Sequence, residues 1–284
     1  MRTLALAGMI LFAQYAEAKE AAILFSSMSD ATYDDPIDRN AVWRGTAMTY
    51  QSIRNLGITS ENVIILYNDA KPDYTDISIP LRAEISSKTI SEGKDSELEK
   101  VFREQTKDLT DQDTIILCTS THGGDNGILY PSYGRQIPAK KMGELLSTTK
   151  ARAVVFYLAC YSGSMLQSSS APNTVQVSCA NHTLAWIDRN YSSSADFFRA
   201  FSTPSADRDH NGKVSIEEAA AYAHKNWGKY MDGFLEKYLL TTYVWPKNFF
   251  GYNDKEEVVE KIDCDPQIKR GQLIPLEWTL EKKP

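Results

Sequence analysis

Five short apolar runs punctuate this chain, and their spacing leaves few folds open. Residues 21–25, 62–66, 114–118, 153–158 and 174–177 are rich in Val, Ile, Leu and Thr and are too short to stand as helices. They are also uninterrupted enough to suit strands buried on both faces. Stretches with helical spacing lie between them. Residues 41–56 repeat apolar side chains at intervals of three and four, and 96–107 set Leu98, Val101 and Phe102 among charges. Residues 138–146 open on Pro138, a residue suited to a first helical turn. Strand alternating with helix predicts a mostly parallel sheet covered on both faces. In such sheets, functional side chains gather in the loops beyond the C-terminal ends of the strands.

With 284 residues the chain is long enough to bury a sizeable core. Its 31 Lys and Arg against 37 Asp and Glu give a net charge of −6, which leaves no broad basic face for a phosphate backbone and excludes nucleic acid as a partner. The 4 cysteines contain no Cys-x-x-Cys pair, which argues against both a disulfide scaffold and a zinc ribbon and points to thiol chemistry. Arg2, the apolar stretch 4–13 and Ala16-Glu17-Ala18 have the layout of a secretory signal cleaved after Ala18. The apolar stretch is shorter than the roughly 20 residues a bilayer span requires. The expectation is an exported protein, secreted, periplasmic or lumenal, with no stable membrane span once the signal is removed.

Two strand ends carry unusual chemistry. The run 114–118 leads into Thr119-Ser120-Thr121-His122-Gly123-Gly124, a histidine in a glycine-rich segment where backbone can approach a ligand closely. The run 153–158 leads into Ala159-Cys160-Tyr161-Ser162-Gly163-Ser164. A cysteine after an apolar strand is ordinarily an inert core residue, and a loop histidine is ordinarily a solvated one. It is their pairing at two strand mouths that points to a nucleophile and its base, because an imidazole takes up the thiol proton and releases the reactive thiolate. The backbone N–H groups of Gly123 and Cys160 are candidates to bind the oxyanion of a tetrahedral intermediate.

These segments resemble the legumain-like cysteine peptidases, family C13 of the wider caspase-like clan. The likeness rests on His122-Gly123-Gly124 with Gly127-Ile128-Leu129, and on Phe156-Tyr157-Leu158-Ala159-Cys160-Tyr161-Ser162-Gly163-Ser164-Met165. The second matches a family pattern close to Phe-Tyr-x-Ala-Cys-x-Ser-Gly-Ser-Met. Weaker similarity reaches back to residue 22 and forward to about 198. The resemblance implies an α/β, caspase-like three-layer sandwich with a mostly parallel central sheet. It also implies Cys160 as nucleophile and His122 as base, and hydrolysis of peptide bonds after Asn, with Asp as a related choice. Some relatives ligate peptides or act as transamidases. Asp196 corresponds to an aspartate of the family's specificity pocket. Tyr161 stands where the family commonly has Glu, so the pocket either binds asparagine through Asp196 and a phenol or prefers another side chain. Arg39 and Arg44 both lie near the place of the pocket arginine, and Asn40 and Asp34 near that of an assisting asparagine.

Residues 207–218 read Asp-Arg-Asp-His-Asn-Gly-Lys-Val-Ser-Ile-Glu-Glu. This fits an EF-hand calcium loop position by position: oxygens from Asp207, Asp209 and Asn211, the Lys213 carbonyl, Ser215 directly or through water, and a bidentate Glu218. The competing reading is an Asx-rich turn that caps a helix without metal. A helix should leave the loop over 219–227, while Pro204 interrupts any helix entering it. A single loop suggests structural calcium and leaves catalysis to the thiol. The expected organisation is a signal peptide (1–18), a caspase-like catalytic domain (19–203), an EF-hand-like loop with its exiting helix (204–245) and a C-terminal extension (246–284). Cys179 and Cys264 are free thiols or a single disulfide. The rival functions are a ligase or transamidase with the same dyad, and a non-catalytic, calcium-dependent binding protein.

Overall fold

A computed structural model describes residues 18–27, 36–67, 84–85, 89–91, 95–131, 135–168, 171–182, 185, 191–240, 265–270, 272 and 280. Residues 1–17 of the expected signal segment, Asp34 and Cys264 therefore fall outside the described residues.

All five apolar runs are strands of one sheet: β1 (Glu20–Ser27), β2 (Val63–Tyr67), β4 (Thr114–Gly124), β7 (Arg152–Leu158) and β8 (Thr174–Ser178). Short strands β3 (Thr89–Ser91) and β9 (Ile268–Arg270) complete its edges, in the order β3-β2-β1-β4-β7-β8-β9. Every pairing along this path is parallel except β8 with β9. Beyond the main ladder, the end of β4 turns into an antiparallel ribbon with β5 (Ile128–Tyr130), which pairs in turn with β6 (Ile137–Pro138).

Because side chains alternate across a strand, each strand feeds two cores. One face packs Ala22, Leu24, Ile116, Val154, Phe156 and Leu158 against three helices. These are α1 (Pro36–Arg54), α4 (Ser193–Ala200) and α5 (Ile216–Leu240). The other face packs Ile23, Phe25, Ile115, Leu117, Val155 and Tyr157 against α2 (Asp95–Thr106) and α3 (Ala139–Leu146). The result is the helix–sheet–helix sandwich expected from the alternating pattern.

The described residues from 204 to 240 and from 265 to 270 join this body. Ile216, Ala219, Ala223 and Trp227 of α5 belong to the same core as α1 and the sheet. From the extension, β9 adds a strand beside β8, and its Arg270 forms an ion pair with Glu217 at the start of α5 at 2.6 Å. Among the described residues no helix is long and apolar enough to cross a membrane.

Candidate active site

Register brings the two chemical strand ends together. β4 and β7 are parallel neighbours paired through Ser120 and Leu158, and two further residues along each lead to His122 and to Cys160. His122 is exposed and Cys160 partly so, which puts both at the mouth of the sheet. The backbones touch directly. A Cβ at Gly123 would overlap the Cys160 carbonyl oxygen and stand 3.0 Å from the Ala159 Cβ, so only glycine lets the two strand ends close.

The turn after the nucleophile is held from several sides. Tyr161 has φ 53° and ψ 24°, a left-handed conformation that costs an L-residue about 1–2 kcal/mol. What holds it is the Ser-Gly-Ser that follows. Ser162 Oγ donates to the Ala180 carbonyl at 3.1 Å, and the Gly163 N–H donates to the same carbonyl at 2.7 Å. A Cβ at Gly163 would come within 2.6 Å of the Asn181 carbonyl oxygen, so this approach also requires glycine. The Ser164 hydroxyl, shared between the carbonyls of Gly124 at 2.9 Å and Tyr161 at 2.7 Å, accepts the Gly127 N–H at 3.1 Å. One buried hydroxyl thus ties the cysteine turn to the histidine segment.

Three cysteines are described, all free thiols, and the expected partner of Cys179, Cys264, lies outside the described residues. Burial pushes the thiols of Cys118 and Cys179 up to about 12. Burial also raises Cys160, whose Sγ lies 3.8 Å from the Ala185 carbonyl oxygen. Cys160 is nonetheless the only one of the three that is not fully enclosed. Burial thus disfavours the Cys160 thiolate, and a base beside it would offset that cost.

The expected specificity residues fall on different elements: Tyr161 directly follows Cys160, and Asp196 lies on a helix. Asp196 sits on α4 with its carboxylate 2.8 Å from Arg199, one turn along, and hydrogen-bonded to Asn226 on α5. Burial pushes its carboxyl above the ordinary range against the pull of both partners. Its ionic and hydrogen-bonding partners are thus on the helical layer, whereas Tyr161 lies at the turn. Arg39, Asn40 and Arg44 all fall on α1; the side chains of the first two lie outside the described residues, and Arg44 is half-buried.

In the 207–218 loop, oxygens of Asp207, Asp209 and Glu218 converge within 4.8 Å of one another, a spacing that fits a divalent cation. Asn211 lies among them, its backbone N–H donating to Asp207 Oδ1 at 3.2 Å and to Asp209 Oδ1 at 3.1 Å. Glu218 also acts as a cap. Its Oε1 accepts the Arg208 and Asp209 N–H groups at 2.6 and 3.2 Å, and its Oε2 accepts the Ser215 N–H at 2.9 Å. The Glu218 N–H returns to Ser215 Oγ at 3.2 Å, which completes a capping box at the start of α5. On the entering side the chain makes a single 3₁₀ turn, Pro204–Ala206, so a full helix–loop–helix is absent there.

Sequence reasoning missed Ser164 as a clamp and Ser120 and Ser194 as lining residues. Serine is too common for its type to signal either role; Ser164 is placed by the turn after Cys160, Ser120 by β4 and Ser194 by α4.

No curated protein sequence matches the chain. Among solved structures it is similar to caspase-1 from Spodoptera frugiperda, with a TM-score of 0.54 and 13% identity over 94% of this chain and 91% of that one. At that identity the likeness shows the fold, a caspase-like sandwich. The model of the peptidase C13 family matches residues 38–187, just over half of the chain and including both His122 and Cys160. The chain therefore belongs to the peptidase C13 family, the legumain-like cysteine peptidases built on a caspase-like fold.

Proposed function

We propose that the chain is an exported cysteine endopeptidase that acts on peptide or protein substrates through Cys160 and His122. The observation that carries this reading is the level placement of His122 and Cys160 at adjacent parallel strand ends, with Cys160 the only described thiol open to a ligand. His122 takes the thiol proton as Sγ attacks the scissile carbonyl carbon, and the carbonyl oxygen becomes an oxyanion facing the N–H groups of Gly123 and Cys160. The imidazolium then returns its proton to the leaving amine, leaving a thioester on Cys160. Water, deprotonated by His122, attacks the thioester and restores the thiol.

An amine in place of that water gives the ligase or transamidase outcome, and product analysis with an added amine separates the two. Export rests on the 1–18 segment, with cleavage after Ala18. Calcium stabilisation rests on the converging carboxylates of Asp207, Asp209 and Glu218, with Asn211, the Lys213 carbonyl and Ser215 completing an oxygen cage around a hard cation. That role is structural, since the reaction needs no metal when a thiolate is the nucleophile. Cleavage after asparagine or aspartate is the expectation the family brings, and the pocket described below bears on it.

The test is labelling with an electrophilic peptide probe, read by intact mass. Wild type is expected to take up one equivalent on Cys160, and Cys160→Ala none. A wild-type protein that stays unlabelled overturns the peptidase reading in favour of a binding protein on the same frame.

A further inference from the structure

One step below the His122–Cys160 level, a row of side chains crosses the sheet. Ser26 pairs with Ser120, and Ser120 with Leu158, across β1, β4 and β7. Residues two apart on a strand share a face, so Ser120 shares a face of β4 with His122, while Leu158 ends β7 two residues before Cys160. Thr46 and Thr49 of α1 and Ser194 of α4 roof it, leaving a narrow cavity of about 10 Å³, room for one water-sized group.

The lining is hydroxyl-rich and carries no charged side chain. Most of its hydroxyls are already paired. Ser26 Oγ lies 2.6 Å from Thr46 Oγ1, and Thr49 Oγ1 lies 2.7 Å from Ser194 Oγ. Thr46 and Thr49 also donate to the carbonyls of Val42 and Gly45, at 2.9 and 2.8 Å. Ser120 is the exception. It is 6% exposed, and its Oγ has no hydrogen-bond partner among the described residues. A buried hydroxyl without a partner is costly unless a ligand relieves it. Asp196, the one acidic group the sequence offered for this role, is engaged by Arg199 and Asn226.

We propose that this cavity receives the substrate side chain on the acyl side of the scissile bond and selects a small uncharged one, serine first, with Ser120 Oγ as its hydrogen-bond partner. The proposal rests on the peptidase reading above and narrows its substrate. A serine Oγ is one water-sized group and fills the space. Asparagine and aspartate carry three heavy atoms beyond Cβ and exceed it, and a carboxylate would also be buried with no counter-charge.

The experiment uses four electrophilic peptide probes that differ only at that residue, carrying Ser, Ala, Asn or Asp, and reads the second-order rate of Cys160 labelling. The serine probe is expected to react about five- to tenfold faster than the alanine probe, the ratio one neutral hydrogen bond provides. Asn and Asp probes should be slower than alanine by at least about tenfold, from overpacking and uncompensated burial. Ser120→Ala should erase the serine-over-alanine difference. An asparagine or aspartate probe that reacts fastest, or four equal rates, overturns the pocket while the peptidase reading stands. A serine preference that survives in folded Ser120→Ala overturns the role of Ser120, and if that variant does not fold, the wild-type series decides alone. If no probe labels Cys160, the peptidase reading falls and the pocket with it.

Discussion

Replacing Ser164 by alanine removes a single oxygen that joins the two halves of the site. That oxygen lies 2.9 Å from the Gly124 carbonyl, 2.7 Å from the Tyr161 carbonyl and 3.1 Å from the Gly127 nitrogen, in a residue 3% exposed. In Ser164→Ala the Gly127 N–H loses its acceptor in a buried setting, and two carbonyls lose a shared donor. A buried unsatisfied donor costs about 1–3 kcal/mol and a lost net hydrogen bond about 1 kcal/mol more, so the expected destabilisation is about 2–4 kcal/mol. At about 2–4 °C per kcal/mol for a domain of this size class, the melting temperature should fall by roughly 5–15 °C.

The effect on chemistry should exceed the effect on stability. Tyr161 sits in a left-handed conformation immediately after the nucleophile, and the Ser164 hydroxyl is one of the bonds that hold it there. With that bond gone, the turn can relax and carry Cys160 away from the His122 level. Displacements of about 1 Å cost up to ~100-fold in well-oriented reactions, so probe labelling of Cys160 should slow by at least about tenfold. The assay is labelling rate by intact mass at a temperature well below the variant's melting point, so that the folded fraction is equal to that of wild type. A variant that melts lower but labels at the wild-type rate would refute the coupling. A variant that changes neither would refute the hydrogen-bond accounting itself.

Gly123→Ala forces a Cβ into the Cys160 carbonyl, and labelling should drop by about 100-fold, for a stability cost of only about 1–3 kcal/mol; labelling within threefold of wild type would contradict the close approach. Calcium at 100 times its dissociation constant should stabilise the wild type by about 2.7 kcal/mol, and Glu218→Gln should lose most of that response; equal melting curves with calcium and with chelator would dismiss the cation. Asp113 accepts hydrogen bonds from the Lys19 N–H at 2.6 Å and from the Thr110 N–H and hydroxyl at 2.6 and 2.8 Å. Burial alone would raise its carboxyl, but these donors outweigh it and hold the pKa below the ordinary value. A depressed carboxylate stabilises the fold fully above its unfolded pKa, near 3.9, and ceases to do so as pH falls through the folded value. Asp113→Asn should therefore be less stable at pH 7, with the gap in urea midpoint narrowing below about pH 4; a gap independent of pH would count against the assignment.

What the sequence made legible follows from where each signal resides. A parallel strand buried on both faces is mostly apolar, so all five such strands could be read directly. β4 shows where that signal stops. Its apolar run ends at Cys118, but the strand continues through Thr119, Ser120 and Thr121 to Gly124, and so places His122 on a strand where sequence suggested a loop. Those polar residues are buried because they lie under the site, and burial of that kind leaves no period for a sequence to show. The three-residue edge strands β3 and β9 are too short to have one. α5 runs from Ile216 to Leu240, well beyond the 219–227 stretch expected after the loop.

The proposed catalytic pair and the proposed pocket differ for a related reason. Cys160 and His122 could be singled out from sequence because their type is rare at a strand mouth, and type alone narrows the chemistry. A specificity pocket is made of directions as much as of types. Asp196 has the type the family pattern asks for, yet an arginine one turn away and Asn226 thirty residues on claim its carboxylate. Ser26, Ser120 and Ser194 are unremarkable singly, and only the β1–β4–β7 register, with α1 and α4 above it, makes them one surface. A family motif can thus carry a reaction from one chain to another more securely than it carries a substrate. The reacting atoms are fixed by a few backbone contacts within the motif, whereas the pocket depends on side chains whose neighbours lie outside it.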